Sequence, residues 1–575
     1  MPFGYHGCYL RIDVSSGSVE RVPLEDAALR QWIGGSGLGV RLLLDHQCAH
    51  LDPLDPAAPL VFAFSPLVGS PLTTSAKFAV VSKSPLTNRI NDSLASSGFA
   101  VAGKSCGCDA IVIVGRAPEL SVVIVDDGQV RVESAADCEG ETCEATAAAL
   151  RSRLGANFRI ASIGPAGERL VRYATISHDG RHAGRGGSGA VLGAKNVKAI
   201  AVRGTQRVEW AHPRELTAIS KDLSKRSFGP ATEKYRELGT ATNLLTFNRF
   251  GALPTRNFQS GTFEEAAHLS PEELSVTRSR TRDSCVTCTI GCEHIYGVGD
   301  GTVRVEYESL FALGSLCGVG DAEAVLRASQ RCDELGLDTI STGGTIAFAM
   351  ECVERGWLDE PWLTFGSGNA LLRAIDLIGS RQGLGNLLAE GSRAAAHAIG
   401  HNSIAIAPQV KGLEMPGYEP RALQTMALGL AVGARGADHN RSGAYEVDFS
   451  DKVDRRHVTL DAVRHAIDTE DRAALMDSLI VCKFLRGVFE DFHAETAAML
   501  RSVTGWEVTA DELRETAARI VGAKREFNLL AGWTPAEDTL PDRFLDTPLP
   551  NDADAHLSRE RLEALVAEYH RQRGW

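Results

Sequence analysis

The segment Asp283-Ser-Cys-Val-Thr-Cys-Thr-Ile-Gly-Cys-Glu-His294 carries three cysteines in the spacing Cys285-x₂-Cys288-x₃-Cys292. Three thiolates this close in sequence can face one point only where the backbone loops around that point. Such a loop is typical of a site that holds a metal ion or an iron–sulfur cluster. The fourth ligand must come from elsewhere in the chain. His294 would complete a Cys₃His zinc site, whereas a distant cysteine would complete a cluster.

The composition is that of an ordinary globular protein. The chain has 575 residues, of which 44% are hydrophobic and 23% charged, and this length fits two to four domains at about 150 residues each. The formal charge of -13 argues against a nucleic-acid partner or an anionic membrane surface, because both require a basic face.

Targeting and membrane signals are not visible in the sequence. No segment approaches the roughly 18 consecutive apolar residues of a membrane span, so we expect no membrane insertion. The first residues lack the basic start and apolar run of a signal peptide. The 13 cysteines are an odd number scattered over a long chain, which does not suggest a secreted disulfide scaffold. We therefore expect a cytoplasmic protein.

The chain is predicted to have an α+β fold, with a β-rich region up to about residue 205 and mainly helices after it. Short apolar runs bounded by turn residues indicate strands. They are Leu60–Phe64, Phe78–Val81, Ala110–Val114, Val122–Val125 and Ala199–Val202. Two sequences recur within this region: Gly34-Gly-Ser-Gly37 as Gly186-Gly-Ser-Gly189, and Ala110-Ile-Val-Ile-Val-Gly115 as Ala199-Ile-Ala-Val-Arg-Gly204. Their offsets differ, so they hint only weakly at two related halves.

Beyond residue 206, apolar residues recur at three- and four-residue steps. The clearest helix is predicted between Asp321, which can cap its start, and Gly336, which can end it. The other predicted helices are Ile340–Gly356, Asp461–Thr469, Asp471–Val481, Glu495–Thr504, Ala510–Leu530 and Arg559–Arg571.

Two segments of equal length carry an acidic residue at the start and a candidate ligand at the end. Asp333-Glu-Leu-Gly-Leu-Asp338 lies where one predicted helix stops and the next begins, so its carboxylates lie beside free backbone N–H groups, a geometry suited to a polar heterocycle. Asp477-Ser-Leu-Ile-Val-Cys482 has the same span and ends in a cysteine. We call these segments the first and second clamps. They suggest two similar halves of one cofactor, with a cluster beside one of them.

These motifs resemble the tungsten-containing aldehyde ferredoxin oxidoreductases, whose cluster motif is Cys-x₂-Cys-x₃-Cys and whose pterin clamps follow Asp-x-x-Gly-Leu-Asp/Cys. The resemblance runs nearly from end to end in the same order. Other matching segments are Lys83–Thr87, Ala161–Glu168, Ala183–Gly187, Tyr307–Ser309, Asp338–Gly344, Phe527–Leu529, Asp538–Pro541 and Arg573–Trp575.

The resemblance implies a three-domain division and a set of cofactor ligands. Residues 1–205 would form a β-rich bis-pterin-binding domain, 206–410 a helical domain with the triplet and the first clamp, and 411–575 a helical domain with the second clamp. A [4Fe–4S] cluster would be bound by Cys285, Cys288, Cys292 and Cys482. One pterin would be held by Asp333, Leu337 and Asp338, and the other by Asp477, Val481 and Cys482.

The family's bis-pterin supplies four dithiolene sulfurs to tungsten, so no further cysteine is needed as a ligand of that metal. By resemblance, the turn at Ala183, Gly184 and Arg185 would meet the pterin phosphates, and a bridging Mg²⁺ would take the Ala183 carbonyl as one ligand. Lys77 occupies the place of the basic side chain between cluster and pterin, where Arg is more common.

The sequence departs from the family at two further points. Leu479-Ile480 replaces a small residue and Gly in the second clamp, so we expect its turn to differ. Some relatives place a Glu before the first clamp to bind a metal between subunits. Arg327 stands there in this chain, and we expect no such bridging metal.

Glu308 and His439 match the family's catalytic carboxylate and imidazole. The implied activity is oxidation of an aldehyde to a carboxylic acid, with Glu308 accepting a proton, His439 binding the substrate oxygen, and electrons leaving through the cluster to a ferredoxin. Further redox subunits are compatible with this interpretation. The alternatives are the catalytic subunit of a tungsten-dependent aromatic acyl-CoA reductase of the same family and a zinc-stabilised protein without catalysis.

Overall fold

The computed structural model describes residues 2–545 and 547–575. Two six-stranded sheets build the N-terminal region. The first contains β1 (Cys8–Asp13), β2 (Ser18–Pro23), β3 (Leu60–Ala63), β4 (Lys77–Lys83), β5 (Ile90–Ser96) and β6 (Ala110–Val114). The second contains β7 (Ser121–Asp126), β8 (Gln129–Ser134), β9 (Arg159–Ser162), β10 (Ile176–His178), β11 (Arg181–Ala183) and β12 (Val197–Arg203). The helices of this region are α1 (Asp26–Trp32), α2 (Gly35–Asp45), α3 (Gly98–Lys104), α4 (Cys143–Leu154), α5 (Pro165–Glu168) and α6 (Ser188–Ala194).

The two sheets share one topology. Their strand orders are β2-β1-β6-β3-β4-β5 and, read from the other edge, β8-β7-β12-β9-β10-β11. In each sheet only the pair formed by the first and last strands in sequence is parallel, β1 with β6 and β7 with β12. The region is therefore a tandem repeat of one supersecondary unit, and the hint of two related halves was correct.

Only one of the two sequence echoes occupies equivalent positions in that repeat. The pair Ala110–Gly115 and Ala199–Gly204 falls on β6 and β12, which are counterparts. The glycine echo does not, because Gly34–Gly37 begins the helix before β3 whereas Gly186–Gly189 begins the helix after β11.

Helices dominate the rest of the chain. They are α7 (Pro213–Ser227), α8 (Glu233–Leu238), α9 (Asn243–Arg249), α10 (Pro271–Thr277), α11 (Tyr307–Leu313), α12 (Ala322–Leu335), α13 (Thr339–Glu354), α14 (Gly368–Ser380), α15 (Leu384–Leu388), α16 (Ser392–Ile399), α17 (Gln424–Val432), α18 (His439–Ser442), α19 (Tyr445–Asp448), α20 (Asp461–Leu479), α21 (Phe492–Thr504), α22 (Ala510–Leu530) and α23 (Arg559–Arg573). Two small sheets complete it: β13 (Arg280–Asp283), β14 (Glu293–Val298) and β15 (Gly301–Val305), and the pair β16 (Gln409–Val410) and β17 (Leu413–Glu414).

The predicted α+β fold, a β-rich region followed by mainly helical ones, is confirmed. The Asp321 side chain caps α12 by accepting from the Glu323 N–H, and Gly336 ends that helix in the left-handed conformation. One helix prediction was wrong. The sequence pattern predicts two helices, Asp461–Thr469 and Asp471–Val481, yet Asp461–Leu479 form the single helix α20, because buried residues continue along one face through the predicted break.

The apolar core of the first sheet continues into the C-terminal helices. Ile480, Ile520 and Phe527 are each completely buried within it. A Cβ on Gly35 would lie 2.7 Å from the Ile480 side chain. The backbone of α2 at Gly35 therefore packs directly against the Ile480 side chain of the second clamp. In the described part of the chain, no helix is both long and apolar enough to cross a membrane.

Candidate cofactor and active site

The two clamps dock on the two halves of the N-terminal repeat. In the first clamp, the Gly336 carbonyl accepts from the Thr175 N–H at 2.8 Å, and the Asp338 N–H donates to the Tyr173 carbonyl at 3.2 Å. In the second clamp, the Leu479 carbonyl accepts from the Ser65 hydroxyl at 2.7 Å. Each repeat unit therefore anchors one clamp, which gives a structural reason for a duplicated domain to accompany a cofactor with two halves.

Both clamps reverse the chain through a left-handed residue at the same position. Gly336 has φ 74° and ψ 50°, and Ile480 has φ 66° and ψ 37°. The expectation that Leu479-Ile480 changes the turn was therefore wrong. A β-branched residue rarely adopts positive φ, so buried packing of Ile480 must offset the backbone strain here.

The acidic residues of the clamps face a common cavity of about 830 Å³. Asp338 caps α13 by accepting from the Ile340 and Ser341 N–H groups, and Asp333 lies 3.0 Å from His182 Nε2. The buried Asp477 carboxylate is ion-paired with Arg441 at 3.3 Å and Lys483 at 2.9 Å, yet neither of its oxygens accepts a hydrogen bond of good geometry from the described residues.

Most of the predicted site residues line this cavity. They include Lys77, Gly184, Arg185, Cys285, Cys292, Glu308, Asp333, Leu337, Asp338, His439, Asp477, Val481 and Cys482. Ala183 and Cys288 are not among the residues that line it. Ala183 is the last residue of β11, completely buried, and directly precedes Gly184.

The turn after Ala183 needs its glycines. Gly186 has φ +82°, and a Cβ there would overlap the Asn91 side chain. The turn directs Arg185 across the cavity, where its guanidinium lies 3.4 Å from Asp338 and donates to the Ala437 carbonyl at 2.7 Å.

Cys482 and the triplet loop are tied together by one threonine. The Thr74 N–H donates to the Thr287 carbonyl at 3.2 Å, while the Thr74 hydroxyl accepts from the Cys482 N–H at 3.3 Å. Thr289, further along the same loop, donates its N–H to the Thr73 hydroxyl at 3.0 Å. The triplet loop and Cys482 thus lie side by side, although they come from distant parts of the chain.

The electrostatics of the thiols agree with this convergence. Burial, and next the charge of Cys482, raise the pKa of Cys288 to about 11. Burial and the same neighbour raise the pKa of Cys292 well above its ordinary value. Burial lowers the pKa of Lys77, but the negative charges of Cys482 and Cys285 raise it more. The pKa of Lys77 therefore lies above its ordinary value. Lys77 therefore lies between these thiols and the second clamp, and its cation favours their ionised forms.

The geometry argues against a Cys₃His zinc site. Within residues 2–545 and 547–575, no three His, Cys, Asp or Glu side chains lie close enough to share one metal ion. The His294 ring points elsewhere, with Nε2 3.3 Å from the Tyr235 carbonyl. His294 is therefore not placed to complete a site with the triplet, whereas Cys482 is held beside the triplet loop through Thr74.

The cavity also fits a polar cofactor of two halves. Besides Asp477, Arg435 lines the cavity and leaves Nε and Nη2 buried without a hydrogen bond from the described residues. Orphaned buried polar atoms of both signs are costly unless a ligand satisfies them. Two acidic clamps and free guanidinium donors match a pair of pterins with phosphates.

Glu308 and His439 form a pair at this cavity. Glu308 lies in the first turn of α11, and its Oε1 is 3.5 Å from Nε2 of His439, while its Oε2 accepts from the Gly417 N–H at 3.0 Å. His439 is the first residue of α18, a turn that Asp438 caps. Burial raises the pKa of Glu308 to about 8 and lowers the pKa of His439 to about 3. The imidazole is therefore neutral at working pH, and the pair holds one transferable proton near neutrality.

Neighbouring side chains orient the imidazole. The amide nitrogen of Asn440 lies 2.9 Å from His439 Nε2, and the Tyr418 ring stacks on the imidazole with the centroids 5.1 Å apart. With Asn440 donating to Nε2, the ring proton is on Nδ1. That atom has no partner among the described residues and can donate to a substrate oxygen.

Sequence reasoning missed a buried charge network beside the second clamp. Asp92 on β5 pairs with Arg441 at 3.1 Å and with Lys524 at 2.7 Å. Burial raises the pKa of Asp92, but these two cations and Arg435 outweigh that effect and depress it. A lone aspartate inside a strand of buried residues was the available signal, because such a charge needs partners.

Comparison with known proteins gives a consistent result. Residues 9–204 match the family model described as aldehyde ferredoxin oxidoreductase, N-terminal domain, and residues 218–575 match the model for domains 2 and 3 of the same proteins. The chain is 35% identical over 594 residues to the tungsten-containing aldehyde ferredoxin oxidoreductase of Pyrococcus furiosus and 36% identical to that of Thermococcus kodakarensis. Each alignment covers 100% of this chain and 96% of the relative.

More distant similarities extend to other activities. A P. furiosus protein named aliphatic sulfonate oxidoreductase, WOR-like subunit, is 28% identical over 100% of this chain and 95% of its own. Among solved structures, the active site complex BamBC of benzoyl coenzyme A reductase, in complex with 1,5 dienoyl-CoA, has a TM-score of 0.85 and 23% identity. That alignment covers 100% of this chain and 95% of the other. At this identity the likeness establishes the fold alone.

Proposed function

The chain belongs to the family of tungsten-containing aldehyde ferredoxin oxidoreductases, and we propose that it oxidises aldehydes to carboxylic acids. The family consists of oxidoreductases, so the predicted resemblance and the prediction of an enzyme are both confirmed. In the proposed reaction an aldehyde and water give a carboxylic acid, two protons and two electrons. When bound, a [4Fe–4S] cluster held by the four cysteines would pass these electrons singly to a ferredoxin.

One observation carries the proposal: both clamps, three of the four cluster cysteines and the Glu308–His439 pair open into the same cavity. When bound, a tungsten bis-pterin supplies the two-electron oxidation. The residues placed to hold it are Lys77, Gly184, Arg185, Asp333, Leu337, Asp338, Asp477, Val481 and Cys482. The Ala183 carbonyl is proposed as one ligand of a Mg²⁺ between the pterin phosphates.

The protein's own part in the reaction is to orient the substrate and move protons. His439 Nδ1–H donates to the aldehyde oxygen and fixes its orientation. Glu308, once ionised, accepts the proton released as water adds to the carbonyl carbon. The Gly417 N–H keeps the carboxylate in place throughout. Burial of both side chains excludes bulk water and strengthens these interactions.

The three-domain division, a cytoplasmic location and the absence of a metal bridge at Arg327 remain parts of the proposal. Arg327 is exposed and pairs with Glu323 at 2.7 Å. The acyl-CoA reductase alternative is supported by a similar fold at 23% sequence identity. The relatives with 35% and 36% sequence identity are named aldehyde ferredoxin oxidoreductases. Aldehyde oxidation is therefore the better supported reaction.

A dye assay separates the two reactions. Purified holoenzyme is mixed with oxidised benzyl viologen and a panel of aliphatic and aromatic aldehydes, and separately with reduced viologen and aromatic acyl-CoA thioesters. We expect dye reduction that depends on the aldehyde and carboxylic acid formed in proportion. Thioester-dependent oxidation of the reduced dye, without aldehyde activity, would contradict the proposal.

A further inference from the structure

The surface around the triplet loop combines exposed apolar side chains with basic ones. The loop projects Val286, which is 42% exposed, between two of the cysteines. Phe228, at the end of α7, is 61% exposed, and the preceding Ser227 hydroxyl lies 2.6 Å from the Thr289 hydroxyl of the loop. Two apolar side chains are thus exposed to solvent beside the proposed cluster.

Arginines join these apolar residues into one surface. The Arg236 guanidinium stacks 4.5 Å from the centre of the Phe228 ring, and Arg282 on β13 donates to the Arg236 carbonyl at 3.2 Å. Arg280, on the same strand, donates to the Glu237 carbonyl at 2.9 Å. Strand β13 is the exposed edge of its sheet and leads directly into the triplet loop. We define Phe228, Arg236, Arg280, Arg282 and Val286 as the cluster face.

The basic side chains at and beside the cluster face have few ion-pair partners among the described residues. Among the described residues, none of its three arginines has a carboxylate within ion-pair distance, and neither do the adjacent exposed Lys225 and Lys234. The acidic side chains nearby in sequence are Asp222, Glu233, Glu237 and Asp283. Asp222 is ion-paired with Arg226 at 2.7 Å, and the Asp283 carboxylate accepts from the Ser284 N–H at 2.7 Å. Among the described residues, five cations without an ion-pair partner against three such carboxylates make a locally basic surface on a chain with a net charge of -13.

We infer that the cluster face is the docking site of a small, acidic, single-electron iron–sulfur protein. This inference rests on the proposed function, which needs an exit for two electrons per aldehyde. Each of two oxidised carriers takes one electron and leaves reduced, so the carriers must exchange within every turnover. A patch with only two apolar contacts, rimmed by cations without ion-pair partners, suits such a short-lived complex. Charge steers the encounter, while the limited apolar area keeps dissociation fast.

The identity of the occupant follows from charge complementarity. An acidic partner would be repelled by most of a protein of net charge -13 and attracted at the cluster face, which selects one orientation. In that orientation the carrier contacts the loop that holds Cys285 and Cys288. A permanent subunit would instead bury a larger and more apolar interface.

The test uses the holoenzyme, a purified acidic ferredoxin and two double variants. Arg280→Glu with Arg282→Glu reverses charge on the cluster face. Arg116→Glu with Arg464→Glu makes the same change at two exposed arginines elsewhere that have no carboxylate partner among the described residues. Ferredoxin binding is measured by calorimetry without substrate, and turnover is measured with ferredoxin and with viologen.

For the cluster-face variant we expect the KM for ferredoxin to rise at least about tenfold at low salt, with viologen turnover unchanged and the control variant within about twofold of wild type. Calorimetric Kd should rise in parallel. Equal effects in both variants, or no effect in either, would overturn the inference.

Two further measurements keep the inference separate from the proposed function. In the wild type, the KM for ferredoxin should rise with ionic strength while viologen turnover does not. A KM independent of salt would contradict the docking site even if the variant failed to fold. If no aldehyde is oxidised with any acceptor, the proposed function fails, yet salt-sensitive ferredoxin binding lost in the cluster-face variant would still support the docking site. A ferredoxin that co-purifies and resists high salt would indicate a permanent subunit and overturn the inference.

Discussion

Glu308 Oε1 lies 3.5 Å from His439 Nε2, although the two residues are 131 positions apart in the chain. The Gly417–Tyr418 segment holds both, since the Gly417 N–H binds the carboxylate and the Tyr418 ring stacks on the imidazole. Burial shifts the two pKa values in opposite directions, which leaves a largely protonated acid beside a neutral base at neutral pH. This arrangement is typical of a site that moves protons.

Replacing Glu308 by Gln should remove the proton acceptor while keeping the side chain's size. We expect turnover to fall by about 10²–10⁴-fold with tungsten and iron contents unchanged. Glu306→Gln is the matched control, because Glu306 lines the same cavity but is exposed and lies away from the imidazole. Full activity in Glu308→Gln at normal tungsten content would exclude Glu308 as the base.

The pH dependence of turnover should report Glu308. Its pKa is raised to about 8, so the ionised form that accepts a proton increases as pH rises and dominates only above that value. We expect kcat/KM to fall by about tenfold per pH unit below 8 and to level off above it. His439, with a pKa of about 3, should add no second limb between pH 5 and 9. A wild-type profile flat across that range would rule out this assignment, as would the same limb in Glu308→Gln.

Asp338→Asn separates the clamp's role in binding from its role in capping a helix. Asn caps helices nearly as well as Asp, so α13 should keep its stability, with a change of at most a few tenths of a kcal/mol from the cap. The lost charge and acceptor should lower the tungsten content per chain several-fold. Asp321→Asn, the same change at the cap of α12, should leave tungsten content at the wild-type level. Equal metal contents in the two variants would show that Asp338 is only a cap.

Substitutions at Ile480 should reveal the steric cost of its positive φ as a change in the stability of the protein. Ile480→Gly and Ile480→Ala remove nearly the same buried side chain, but only Gly adopts φ 66° without a steric cost. We expect the Gly variant to be more stable by about 1 kcal/mol. At Leu475, which lies inside α20, the order should reverse, since Gly costs about 1 kcal/mol relative to Ala inside a helix. Denaturant midpoints of the four variants give both orders, and the same order at both positions would contradict the left-handed turn.

The local motifs of this chain could be predicted from its sequence, whereas the contacts between distant segments could not. Cys285, Cys288 and Cys292, the cap at Asp321 and the stop at Gly336 each depend on a few consecutive residues. The turn at Ile480 could not be foreseen, because the packing of α2 that permits positive φ comes from a segment more than 400 residues away. The same holds for Thr74, which ties the triplet loop to Cys482, and for the Asp92–Lys524 pair. Nothing in the sequence near either partner indicates the other.

The site residues divide in the same way. Glu308 and His439 were identified through family resemblance, since a single carboxylate or imidazole carries no spacing signal of its own. The structure adds Gly417, Tyr418 and Asn440, which act only by holding those two side chains. Asn440 directly follows His439 and could have been noted as a neighbour of a candidate catalyst.

Metal content per chain of the purified protein tests the central claim most directly. Elemental analysis should find about four irons and about one tungsten per chain, and Cys482→Ser should lower the iron while Cys332→Ser, at a buried cysteine outside the cluster, should not. Zinc at about one per chain without iron and tungsten would contradict the account, as would iron content that is unchanged in Cys482→Ser.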